Sequence, residues 1–177
     1  MKDFDVVLRR IFLLILDAGN DLLTGTKKGD VYLVDSLQEK HNTITKFIAN
    51  NLRLLNKVGH KEKNNLVLYH MLYTLDNITD IMKESARYIT ESHIKFSRET
   101  ENFLAILHSM LADFQNLYFK YDPKLIEKIS RTRYDTISNL KKISKKLNYH
   151  ELILLTKMEG IADRILDLSV NSMIIEY

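Results

Sequence analysis

The sequence predicts an all-α protein of about six long helices, arranged as two repeated antiparallel three-helix bundles. Three observations predict it. One Pro and five Gly punctuate 177 residues, whereas strand-rich folds need turn residues at short, regular intervals. Apolar residues recur at helical spacing almost throughout. The order of features in the first half then returns in the second.

Val6, Ile11, Leu14, Ile15, Leu22 and Leu23 predict a first helix ending near Thr24. The stretch TGTKKGD, with Gly25 and Gly29, supplies a turn, and Asp30 is an N-cap for a second helix reaching about Asn56. KVGHKEKNN is the clearest loop, and a third helix runs from it to about Thr90. TESHIKFSRE marks the midpoint, after which Phe103, Ile106, Leu107 and Met110 lie on a fourth helix. In KYDPK, Asp122 caps and Pro123 takes the first position of a fifth, running to about Leu147. Asn148 precedes a sixth, which continues almost to Tyr177.

Setting Asp76 against Glu159 aligns the third and sixth helices without gaps: Leu75 with Met158, Ile78 with Ile161, Asp80 with Asp163, Met82 with Ile165, Glu84 with Asp167. The preceding helices match too, HNTIT from His41 against YDTIS from Tyr134. The offsets are 83 and 93 residues, and the loop around Gly59 absorbs the difference. One domain over 1–177 is expected, with repeat one at about 1–92 and repeat two at about 93–177.

A hydrophobic content of 45% with 28% charged residues is that of an ordinary globular protein. With no Cys, disulfides, thiolate nucleophiles and Cys-ligated metals are excluded. The apolar run Ile11 to Leu16 is followed by Asp17 without a small-residue cleavage site, and no stretch approaches a membrane span. A cytoplasmic protein without membrane insertion is the expectation. The net charge of +3 implies no direct nucleic-acid partner. Lys141, Lys142, Lys145 and Lys146 share one helix face opposite Ile137, Leu140, Ile143 and Leu147. That face suits solvent, or an anionic partner such as a protein surface or a headgroup layer.

The acids carry the sharpest signal. Asp76, Asp80 and Glu84 stand four apart beside the apolar stripe of Met71, Leu75, Ile78, Met82 and Ala86, and Glu159, Asp163 and Asp167 repeat the spacing. Like charges at that spacing repel by a few tenths of a kcal/mol per pair, so something should offset them. Carboxylates flanking an interhelical groove can hold hard cations. The plain alternative is a solvated face relieved by local ion pairs, Lys83 with Asp80 and Arg87 with Glu84. Glu39, Asn42 and Asp135 on the neighbouring helices are further candidates, while His41 and the other five histidines read as surface or hydrogen-bonded residues.

LDNITDIMKESARYI and MEGIADRILDLSVNS, each in the third helix of a repeat, resemble the E(D)xxxD motif of the PhoU family of phosphate-uptake regulators. The first also resembles accessory proteins of Pit-type phosphate transporters. The resemblance implies a two-bundle cytoplasmic protein, some relatives of which bind multinuclear iron or zinc clusters through these acids. It places metal on Asp76, Asp80, Glu159 and Asp163, with Glu84, Asp167, Glu39 and Asp135 as weaker candidates. Asn42 replaces an expected acid and Thr132 stands where Glu39 has its counterpart, so two imperfect sites are expected. It also implies a partner: a phosphate transporter component or its sensor protein, reached without inserting in the membrane. An amphipathic edge leaves a homodimer open.

Catalysis is not expected. No Glu is followed by His three residues on, as carboxylate-bridged di-iron enzymes require, and there is no phosphate-binding Gly loop, nucleophile elbow or zinc-protease motif. A metal-free interaction module, with Tyr118, Phe119 and Tyr121 near one end, is the rival that shares the fold.

Overall fold

A computed structural model describes residues 2–61 and 63–176, the side chains of residues 2, 33, 175 and 176 excepted. The helices are α1 (Lys2–Lys28), a short α2 (Val31–Asp35), α3 (Leu37–Val58), α4 (Asn65–Ser92), α5 (Arg98–Phe119), α6 (Pro123–Ile143) and α7 (Tyr149–Glu176), with a 3-10 turn at Ser144–Lys146. The expected all-α pair of three-helix bundles is therefore the architecture found.

Three boundaries differ from expectation. The first helix runs through Gly25, with the Thr26 hydroxyl bonded back to the Leu22 carbonyl at 2.6 Å, and the chain stops only at Gly29, whose φ of 69° suits glycine. Asp30 does cap the short α2, accepting the Tyr32 amide at 3.1 Å. The second helix is interrupted at Ser36, yet Ser36 N to Tyr32 O at 3.0 Å and Lys40 N to Ser36 O at 3.2 Å carry the helical pattern across. The fifth ends at Ile143 rather than Leu147 and tightens into the 3-10 turn.

The other ends obey local chemistry. Asn64 accepts the amides of Leu66 and Val67, Ser97 that of Thr100, and Asp122 that of Lys124 beside Pro123. At the start of α7 the Asn148 side chain accepts the Glu151 amide at 2.9 Å, and Glu151 accepts the Asn148 amide at 3.1 Å. This is a reciprocal capping box.

α1, α3 and α4 pack together, as do α5, α6 and α7, and the two groups join where α4 lies on α7 and α1 on α5. The seams are antiparallel. Asn51 of α3 donates to the Phe4 carbonyl of α1, while Lys40 reaches Asp21. Across α4 and α7, His70 meets Asn171, Glu84 meets Lys157 and Tyr88 meets His150. The stripe of Met71, Leu75, Ile78, Met82 and Ala86 is buried, and so are Leu154, Met158, Ile161, Ile165 and Ser169 at the equivalent positions of α7. Each such large apolar side chain stabilises the fold by roughly 1.5–3 kcal/mol. The heptad-like drift of the stripe leaves the acids on its flank.

Candidate functional site

The acid lines lie on the outer flanks of α4 and α7, facing α3 and α6. In the first repeat Asp76 accepts the Thr45 hydroxyl of α3 at 2.9 Å. Asp80 is the busier group. Its Oδ1 receives the Lys83 ammonium at 2.6 Å and His41 Nε2 at 2.9 Å, and the two nitrogens are 3.3 Å apart. Burial works against ionising Asp80, but the hydrogen bond and charge of Lys83, joined by His41, hold its carboxyl below the usual carboxylate range. Glu84 has turned away from α3 and pairs with Lys157 of α7 at 2.7 Å. The Lys157 hydrogen bond and charge depress its pKa. Lys83 thus provides the local relief expected of it, whereas Arg87 does not: the cation on Glu84 comes from the other repeat.

In the second repeat Asp163 Oδ1 receives both Nη2 and Nε of Arg133, from α6, at 2.6 and 2.8 Å. Glu159 is half-buried, Asp135 and Asp167 are exposed, and none of these three side chains pairs with a described residue. Glu39 is exposed and unpaired likewise, and Asn42 accepts from Gln38 at 3.1 Å. The repulsion built into each acidic line is therefore offset by ammonium and guanidinium groups of the chain itself.

This geometry bears on metal. Iron or zinc needs four to six converging donors, and a multinuclear cluster needs bridging carboxylates. Asp80 and His41 are brought together, but with the Lys83 cation against both of them; Asp163 is covered by Arg133. Among the described residues no three His, Asp or Glu side chains converge on one point. As arranged, these residues do not fit a multinuclear cluster. A single ion would have to displace Lys83 or Arg133.

Three features of the site and its surroundings lie outside the residues the sequence singled out for it. His41 is Asp80's partner, and only the α3–α4 register reveals it. Lys40 ties α3 to α1 through Asp17 and Asp21, with Ser36 donating to Asp21 at 3.0 Å; burial opposes its charge, but the two aspartates together raise its pKa. Glu151 is only 3% exposed and gathers the Ser97 amide at 2.6 Å and the Thr100 hydroxyl at 3.0 Å besides its own capping bond. Here too burial opposes ionisation, and the hydrogen bonds from Ser97, Asn148 and Thr100 win, lowering its pKa. The N-x-x-E spacing of a capping box is the one signal that could have found it. The four lysines at 141, 142, 145 and 146 are all exposed, the last two on the 3-10 turn.

A pair of antiparallel three-helix bundles joined along their third helices defines a distinct class of all-helical protein. Among solved structures it is the fold of PhoU proteins. The phosphate transport system regulatory protein PhoU from Streptococcus pneumoniae matches with a TM-score of 0.76 at 13% identity, over 99% of this chain and 94% of that one. PhoU from Pseudomonas aeruginosa gives 0.77 at 14% identity, over 97% and 94%. A PhoU-like protein from Shewanella oneidensis MR-1 gives 0.66 at 11%, over 95% and 94%. No family model and no curated protein matches the sequence. The chain has the PhoU fold over nearly its whole length, and no helix of its described residues is long and apolar enough to cross a membrane.

Proposed function

We propose that this chain is a PhoU-like regulator of phosphate uptake, acting by contact with a transporter component or the sensor protein associated with it, and without chemistry of its own. One observation carries the reading: the fold matches a phosphate transport regulatory protein over nearly all of both chains, with an acidic E/DxxxD line on the third helix of each repeat. Analogy of fold supports a working class rather than a particular partner.

The test is physiological. In its host, removal of the chain is expected to raise phosphate uptake, and the purified protein is expected to bind the cytoplasmic portion of a phosphate transporter or its sensor. Unaltered uptake together with no binding would remove the proposal.

The occupied carboxylates favour a regulator that needs no resident metal over one built around a cluster. Elemental analysis of untagged protein decides between them. Less than about a tenth of an equivalent of iron or zinc, with none taken up on titration, supports the ion-paired reading. One equivalent or more would return Asp76, Asp80, Glu159 and Asp163 to the role of ligands.

A further inference from the structure

One end of the molecule gathers the C-termini of α1, α4 and α6 and the N-termini of α5 and α7. Contacts fix this: Glu151 at the start of α7 bonds Ser97 and Thr100 at the start of α5, and Thr90 near the end of α4 bonds Asp35 of α2. A cavity of about 260 Å³ between α5 and α6 is lined by Glu99, Phe103, Leu140 and Ile143, which sets the end of α6 beside the start of α5. Eight exposed cations stand at this end: Lys27, Lys28, Lys95, Arg98, Lys141, Lys142, Lys145 and Lys146. None forms an ion pair with a described residue, although Asp30, Asp35, Glu39, Glu91, Glu99 and Glu101 are at the same end. Among the cations stand the exposed side chains Val31, Tyr32 and Tyr149, the two tyrosines 88% and 73% accessible.

Helix dipoles account for most of this charge. Lys27, Lys28, Lys141 and Lys142 lie in last turns, where a cation is favoured. Lys145 and Lys146 end the 3-10 turn that continues α6 and are favoured in the same way, whereas Arg98 occupies the first position of α5, where the dipole disfavours it. We infer that this end is a docking surface for an anionic lipid headgroup layer. Seven of the eight cations are lysines, compact point charges suited to a diffuse anionic surface, whereas protein interfaces are depleted in Lys and favour Arg. Tyrosine at the rim matches the headgroup level, where an apolar ring with a polar tip is most at home. Such docking deepens the transporter-contact reading on which it rests, since it would hold the protein beside its partner, but its test needs no transporter.

The probe is a phosphatidylcholine vesicle with and without about a third phosphatidylglycerol, pelleted with the full chain at low salt. Binding is expected to the mixed vesicles only, and to fall steeply with salt. Replacing Lys141, Lys142, Lys145 and Lys146 by Gln should lower the partition coefficient at least about tenfold. The matched control replaces Lys57, Lys61, Lys120 and Lys124, exposed lysines of the opposite end, and should change it by less than about twofold. Circular dichroism confirms that both variants remain helical. Equal losses in the two variants would reduce the effect to bulk charge and overturn the assignment. So would absence of vesicle binding, including the case in which soluble poly-glutamate is bound instead, which would give the face to an acidic protein. Failure of the phosphate-uptake test with vesicle binding intact would leave this surface standing alone.

Discussion

In the first repeat Asp80 is neutralised by Lys83 of its own helix and hydrogen-bonded to His41 of α3, while in the second Asp163 is neutralised by Arg133 of α6. The positions make the contrast sharper. Where the first repeat has Lys83 the second has Leu166, which packs against the core. Where the second has Arg133 the first has Lys40, which turns the other way to Asp17 and Asp21 of α1. The cation has moved from one helix to another while the acid and its neutralisation were kept. What the halves hold in common is a charge balance at a fixed place, not a set of side chains. The starts of the third helices differ as well: Leu68 of α4 is an ordinary apolar core residue, and its counterpart in α7 is Glu151.

The largest effects should fall where the halves agree. Ile78→Ala and Ile161→Ala, at equivalent and fully buried positions, should each cost about 3 kcal/mol in urea unfolding. Because α4 and α7 share a seam, both variants should still unfold in one transition by far-UV circular dichroism. Two separate transitions would show that the repeats are independent and break the comparison at its root.

Glu151→Ala should come next, at about 2 kcal/mol near neutral pH, through loss of bonds to a buried ionised group. Its sign with pH comes from the depressed pKa. The unfolded chain titrates near 4.5 and the folded one lower, so the contribution is complete above 4.5 and lost as pH falls through the folded value. Wild type and variant stabilities should converge on acidification. A difference that stays constant would mean that Glu151 acts by packing alone.

Arg133→Met and Lys83→Met ask whether the internal cations exclude metal. Each should change stability by less than about 1 kcal/mol, since both pairs are partly exposed. Calorimetric titration with zinc should show uptake by the Arg133 variant, which leaves Asp163 beside the unpaired Glu159, and weaker uptake by the Lys83 variant. No uptake by either would remove the competition between cation and metal. The smallest effect belongs to Asp80→Asn, expected within about 1 kcal/mol and diminishing with salt.

Most of the fold was legible because helical periodicity and the repeated stripe survive in α4 and α7, where the core-facing positions admit few polar residues. The caps at Asp30 and Asp122 were legible because their chemistry is local. What failed was non-local or depended on small energies. Gly25 is not a stop, since a helix tolerates glycine at about 1 kcal/mol, and the turn around it is buried at Leu22 and Thr26. The partner of Glu84 lies 73 positions away in the sequence, and no spacing rule on α4 reaches Lys157. The acids were visible; their cations were not, because Lys and Arg reach across helices and only the register of the packed bundle says which acid they meet.

The seam of α4 on α7 also has a consequence for synthesis. At roughly 5–20 residues per second, several seconds separate the emergence of α4 from that of α7. Through that interval Ile81, which α7 will cover beside Gly160, has nothing packed on it, and the face of α1 that meets α5 waits as well. The first half of the chain is thus born with two adhesive faces and no partner for either. Nascent chains stalled before residue 149 should therefore need a holding chaperone, and full-length chains should release it.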